Sequence, residues 1–170
     1  MANPFRSAQA LMVQYAHYHR DRRNIATHLI GIPLIVLALG VWLDVPLPGT
    51  GLTLAWGFWV VSSVWYLSRG AGALGLATVA LNAVLMALGQ ALAARVEGVW
   101  PVWQAGLLIF VLGWALQFLG HYWEGRKPAF ADDLVGLLVG PMFIMGEVMM
   151  ALGACQGLRQ TIEAEAGPLR

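Results

Sequence analysis

Apolar and polar positions are sorted along this chain into long blocks rather than alternating. Five apolar runs stand out, at residues 25–43, 52–67, 74–94, 102–119 and 134–152. A helix needs about 20 apolar residues to cross ~30 Å of hydrocarbon, and the first, third and fourth runs come close to that length or meet it. The breaks between runs carry turn residues, as in DVPLPGTG at 44–51, or charge, as in the stretch after Gly120. Pro33 bends the first run without disqualifying it, because neighbouring helices can satisfy the freed carbonyl. Gly140-Pro141 interrupts the fifth run, which is expected either to cross or to re-enter.

Residues 4–18 predict a short amphipathic helix, with Pro4 suited to its start and Leu11, Val13 and Tyr15 as apolar contacts. It is too short and polar to span, and is expected along the interface or as a cap on the bundle. Polar residues 19–24 break it. Asn24 is a candidate cap for the first span, and His28 is expected in that span's first turn. The tail from Gln156 is polar and helical. The expectation is an all-α integral membrane helical bundle with four or five spans and an N-terminal interfacial helix. It forms a single membrane domain, with 1–24 amphipathic, 25–152 the spans and 153–170 a polar tail.

Composition supports this reading. The chain is 59% hydrophobic and 11% charged over 170 residues, with a mean hydropathy of +0.67. Soluble domains carry roughly 25% charged residues, and a small one buries only about two-thirds of its unfolded surface. A net charge of +1 gives no reason to expect a nucleic-acid partner. The single cysteine, Cys155, excludes an internal disulfide. The N-terminus lacks the long apolar stretch and cleavage site of a signal peptide.

Lysine and arginine placement orients the bundle. With the N-terminus in the cytoplasm and every run crossing, Arg6, Arg20, Arg22, Arg23, Arg69, Arg126 and Lys127 lie on the cytoplasmic side. Arg95, Arg159 and Arg170 lie opposite. His19, His28 and His121 then share the cytoplasmic face, and a bacterial inner membrane is the expected location.

Those histidines are the candidate chemistry. Neutral imidazole is the commonest protein ligand for transition metals. His17, His19 and His28 lie in YAHYHRDRRNIATHLIGIP, and His121 opens HYWEGRKPAFADDL. His19 and His28 would face apart on one straight helix at ~100° per residue, so they converge only if RDRRN breaks it. His17 and His19 diverge on a helix, and His19 is the one expected at the site. Asn24 and His28 share a face. The bland alternative is a set of interface anchors beside a solvated basic patch. Glu147 lies inside an apolar segment, where an ionisable group is functional by default, or else hydrogen-bonded to Gln117, Asn82 or a backbone carbonyl. Glu124, Asp132 and Asp133 are placed to orient an imidazole through its second nitrogen, or to pair with Arg126 or Lys127 in solvent.

Three motifs carry a family resemblance: Tyr18-His19, Asn24, His28 and Pro33; then Gln117-Phe118, Gly120-His121, Pro128-Ala129 and Asp132-Asp133-Leu134; then Pro141, Phe143-Ile144-Met145 and Glu147. Nearly the whole chain resembles the 2-hydroxy fatty acid dioxygenase family, small multi-span membrane proteins of fatty acid α-oxidation with an iron(II)-dependent fungal member. The resemblance implies Fe(II), O2 and a long-chain 2-hydroxy fatty acid cut to the acid one carbon shorter, with the acyl chain among the spans beside membrane lipid. It implies His19, His28 and His121 as metal ligands, with Asp132 or Glu147 completing the site. Arg22, Arg23, Asn24, Arg126 and Lys127 are the candidate substrate contacts. Imidazoles with open coordination positions suit non-haem iron. Two other classes remain open: a non-catalytic protein holding haem between two spans, and a zinc-dependent membrane hydrolase that needs no O2.

Overall fold

The computed structural model describes residues 5–131 and 134–170. The described residues form helices α1 (Ala8–Ala16), α2 (Arg22–Trp42), α3 (Leu54–Ser68), α4 (Ala73–Val96), α5 (Val102–Glu124), α6 (Val135–Ala151) and α7 (Gln156–Ala166), with a 3-10 turn at Ala129–Ala131. The fold is all-α.

Local chemistry sets the first boundary. Ser7 caps α1 by accepting from the Ala10 N–H at 3.3 Å. Asp21, not Asn24, caps α2, accepting from the Arg23 N–H at 2.8 Å. A carboxylate at a helix N-terminus also meets the positive end of the helix dipole. Asn24 is thereby free for another role, and His28 falls in the second turn of α2 rather than the first.

Helices α2, α4 and α5 are long and apolar enough to cross a membrane, and α6 with α7 forms a pair bent by 112°. Three helices thus qualify by length and composition, or four if the bent pair is one broken span. Helix α3 has 15 residues, short of the ~20 a straight span needs. Its outer face is nonetheless apolar, with Val60, Val61 and Val64 exposed, as suits a surface that meets lipid.

Helix α2 is the centre of the bundle, packed on α4, α5 and α6. Glycines make its closest approaches. Gly106, Gly113 and Gly120 recur every seven residues along α5. A Cβ at Gly113 would lie 2.9 Å from the Gly31 carbonyl oxygen and 2.8 Å from Ile35. One at Gly120 would run into the side chains of Asn24 and Thr27, and one at Gly106 into the Trp42 indole. Small residues that let backbones touch are the usual means of helix association in lipid, where no hydrophobic force distinguishes helix from solvent. On the other flank, a Cβ at Gly40 would lie 2.9 Å from the Met86 carbonyl. Helix α1 caps the end of the bundle against α6 and α7, burying Leu11, Met12 and Ala16.

Candidate metal centre

The Gly120 contact sets Asn24 and Thr27 of α2 against the residue before His121. His28, one turn beyond Asn24 on α2, and His121, next to Gly120 on α5, reach toward each other near this contact, their rings 4.9 Å apart. The short loop between α1 and α2 brings His19 to the same place. The ligand atoms of the three imidazoles lie within 4.8 Å of one another, and the residues are 0%, 1% and 5% exposed for His19, His28 and His121.

The hydrogen bonds decide which nitrogens are available. His19 Nδ1 donates to the Tyr15 carbonyl at 2.7 Å, and His28 Nδ1 donates to the Asn24 carbonyl at 2.9 Å. A carbonyl only accepts, so both protons sit on Nδ1 and each neutral ring presents a bare Nε2. Those Nε2 atoms face each other at 3.1 Å. Burial pushes the His19 imidazole well below its usual pKa, and His28 beside it adds to the effect, so His19 is neutral. Two lone pairs aimed at each other repel unless a cation lies between them. Metal–nitrogen bonds of ~2.1 Å would set two ligands at right angles ~3.0 Å apart, close to the observed separation. The rings of His19 and His28 lie 4.8 and 4.9 Å from that of His121. The set fits a transition-metal ion.

The loop that carries His19 is tied down from three sides. Glu124 Oε2 accepts from the backbone N–H groups of Arg20 and Asp21, at 3.0 and 2.7 Å, and from Asn24 Nδ2 at 3.1 Å. Asn24 also donates to the Tyr18 carbonyl at 3.1 Å. The tail returns to the same loop: the Arg170 N–H donates to the Arg20 carbonyl at 2.8 Å, and its carbonyl accepts from the Arg22 N–H at 3.0 Å. Arg170 Nη2 reaches Glu124 Oε1 at 2.7 Å. Arg170, expected on the side opposite the histidines, thus lies beside them, because the bent α6–α7 pair brings the tail back to this end. The Tyr15 ring stacks on His19 at 4.1 Å. Nothing in the residue spacing announces the tail's return, but the offset of three between His121 and Glu124 puts them on one helix face.

The other expected site residues take the following positions. Glu124 holds loop backbone instead of an imidazole nitrogen, its two oxygens taken up by the Arg20 and Asp21 N–H groups, the Asn24 amide and the Arg170 guanidinium. Glu147 lies behind the loop, with Oε1 3.5 Å from Arg20 Nη2, and is not among the converging groups. Its partner is thus neither Gln117 nor Asn82. Asn24 is committed to Tyr18 and Glu124. Arg22, Arg23, Arg126 and Lys127 are exposed. Arg23 pairs with Asp21 at 2.7 Å, and Arg126 donates to the His17 carbonyl at 2.8 Å. His17 is exposed, outside the cluster. Asp132 and Asp133 lie outside the described residues.

An apolar cavity of about 420 Å³ runs from His28 and His121 between α2, α3, α4, α5 and α6, in the ~300–1,000 Å³ range of small-molecule sites. Ile32, Val36 and Leu39 line it from α2, and Trp114 and Phe110 from α5. Leu39 is eleven residues past His28 and Phe110 eleven before His121, so at 1.5 Å per residue each wall runs ~16 Å.

Comparison with known proteins agrees with the motifs. The family model described as "2-hydroxy-palmitic acid dioxygenase Mpo1-like" matches residues 5–152. The chain is 32% identical over 151 residues to the 2-hydroxy-palmitic acid dioxygenase of Saccharomyces cerevisiae (strain ATCC 204508 / S288c), covering 88% of this chain and 83% of the yeast protein. No solved structure matches it. With three buried histidines converging beneath an apolar cavity and a family match over most of its length, the chain belongs to the Mpo1-like family of 2-hydroxy-palmitic acid dioxygenases.

Proposed function

We propose that this protein is an Fe(II)-dependent dioxygenase that shortens long-chain 2-hydroxy fatty acids by one carbon, a step of α-oxidation. The observation that carries the reading is the pair of bare, facing Nε2 atoms of His19 and His28, joined by His121 at the head of an apolar cavity. The name of the yeast relative supplies the substrate class and the oxidant.

His19, His28 and His121 would hold the ion. Held there, Fe(II) would supply the redox chemistry that couples O2 to oxidation of the 2-hydroxy acid. The chain's own residues do the rest. The Tyr15 and Asn24 carbonyls fix the histidine tautomers. The aliphatic walls take the acyl chain and keep water from the reacting end. Atoms balance when one 2-hydroxy acid and one O2 give the acid one carbon shorter, carbon dioxide and water.

The geometry also weighs the alternatives. The His19 and His28 Nε2 atoms, 3.1 Å apart, stand closer than the ~4 Å that two metal–nitrogen bonds in line would span across a porphyrin, which favours a single non-haem ion. A zinc hydrolase is separated by the reaction itself. Purified protein supplied with Fe(II), O2 and 2-hydroxyhexadecanoate should yield pentadecanoate, and hexadecanoate should not react. Product that forms without O2, or with zinc as the sole metal, would refute the dioxygenase reading. The same proposal places the site on the cytoplasmic face of a bacterial inner membrane. Support comes from the positive-inside asymmetry, since Arg22, Arg23, Arg126 and Lys127 flank the histidine segments in sequence.

A further inference from the structure

The cavity that ends on His28 and His121 has no cationic wall: among the described residues that line it, none is lysine or arginine. A carboxylate drawn into it needs a donor of another kind. Gln117 lies one turn before His121 on the same face of α5. It lines the cavity, is 5% exposed, and its Nε2 is buried without a hydrogen-bond partner.

The position of that amide is built. Gly31, three residues past His28, opposes it. A Cβ at Gly31 would stand 2.5 Å from Gln117 Nε2 and 2.8 Å from the Gly113 carbonyl. The missing side chain at 31 opens the slot in which the amide lies, between the turns that carry His28 and His121. A buried amide donor with no acceptor is unfavourable in an apolar wall, and an oxygen of an incoming ligand would relieve it.

We propose that Gln117 reads the polar head of the substrate: its amide N–H donates to an oxygen of the 2-hydroxy-carboxylate group at the histidine end of the cavity. The inference rests on the dioxygenase reading above and deepens it, assigning to a neutral amide the role expected of the surface arginines. A donor at the histidine end also helps a charged head enter a cavity walled mainly by aliphatic and aromatic groups, with Ser62 and Asn82 as further polar residues among its lining.

The test uses the Fe(II)-loaded protein without O2, so that binding is read apart from turnover. Gln117→Met keeps the length of the side chain and removes the donor. It should bind 2-hydroxyhexadecanoate about tenfold more weakly than the wild type, with iron content and melting temperature unchanged. Gln117→Glu sets a carboxylate in the same slot. It should weaken 2-hydroxyhexadecanoate further, yet keep the neutral hexadecane-1,2-diol, whose hydroxyls can donate to it. Equal affinity in Gln117→Met and wild type would overturn the proposal. So would loss of iron in Gln117→Met, or acid and diol weakened alike in Gln117→Glu, since those are marks of a purely structural amide. A wild-type protein that binds no 2-hydroxyhexadecanoate would overturn the dioxygenase reading itself and this inference with it.

Discussion

The Nε2 atoms of His19 and His28 face each other across 3.1 Å, while both Nδ1 atoms are committed to the carbonyls of Tyr15 and Asn24. A cation placed there removes a lone-pair repulsion and binds only the folded chain. Fe(II) at a hundred times its dissociation constant should therefore stabilise the protein by about 2.7 kcal/mol, and a chelator should reverse the gain. Thermal melts with and without metal, beside metal content, check this. His19→Ala, His28→Ala and His121→Ala should each lose both the metal and the stabilisation, and His17→Ala should keep them. Full metal occupancy in His121→Ala would remove that residue from the centre.

Glu124 gathers the N–H groups of Arg20 and Asp21, the Asn24 amide and the Arg170 guanidinium on one carboxylate. Its role is to hold the loop that carries His19. Glu124→Gln keeps the shape but weakens four charge-assisted bonds. Metal affinity should fall about 10–100-fold, as for other groups that hold ligands in place, and the melting temperature should fall too. Glu147→Gln, whose partner Arg20 keeps three other hydrogen bonds, should lower metal affinity much less. Metal titrations of the two variants side by side separate the roles, and the reverse order of effects would exchange them.

Gly120 is where α5 meets α2 next to the histidines. A methyl group there would strike Asn24 and Thr27, and overpacking of this kind costs about 1–3 kcal/mol. Gly120→Ala should lower both stability and metal content. Gly57 of α3 has nothing within 4 Å of an added Cβ, so Gly57→Ala should be neutral or slightly stabilising. Equal losses in the two variants would mean that the α2–α5 approach does not set the centre.

Much of this was legible in the residues. The apolar runs located α2, α4 and α5 because lipid exposure demands long unbroken hydrophobicity. The break at RDRRN and the divergence of His17 from His19 on a helix pointed to the cluster that forms. Residues whose role depends on long-range contact were harder to read. Glu147 had the look of a site residue from its apolar surroundings alone, but its partner is Arg20, brought in by the loop. The basic residues near the histidines were candidate carboxylate contacts by their charge alone, and spacing could not show that Arg23 pairs with Asp21 and Arg126 with the His17 carbonyl. The return of Arg170 to Arg20 and Arg22 left no mark in the pattern, since backbone pairing needs no particular side chain.

The apolar walls make a prediction about chain length that is independent of the metal. Leu39 lines the cavity ~16 Å along α2 from His28, counting eleven residues at 1.5 Å each, and it is only partly buried against neighbouring helices. A tryptophan there would fill the part of the cavity that takes the end of a long chain. Leu39→Trp should leave metal content unchanged and shift the preferred 2-hydroxy acid toward shorter chains. Each methylene that no longer finds a place forfeits about 0.8 kcal/mol of burial, near fourfold in affinity, so three displaced methylenes would weaken the longest acids by well over tenfold. Short 2-hydroxy acids, which end before Leu39, should be turned over as by the wild type. Measuring kcat/KM across a series of chain lengths decides it. A uniform fall at every length would mean that Leu39 acts on the bundle as a whole, and an unchanged profile would mean that the acyl chain takes another path.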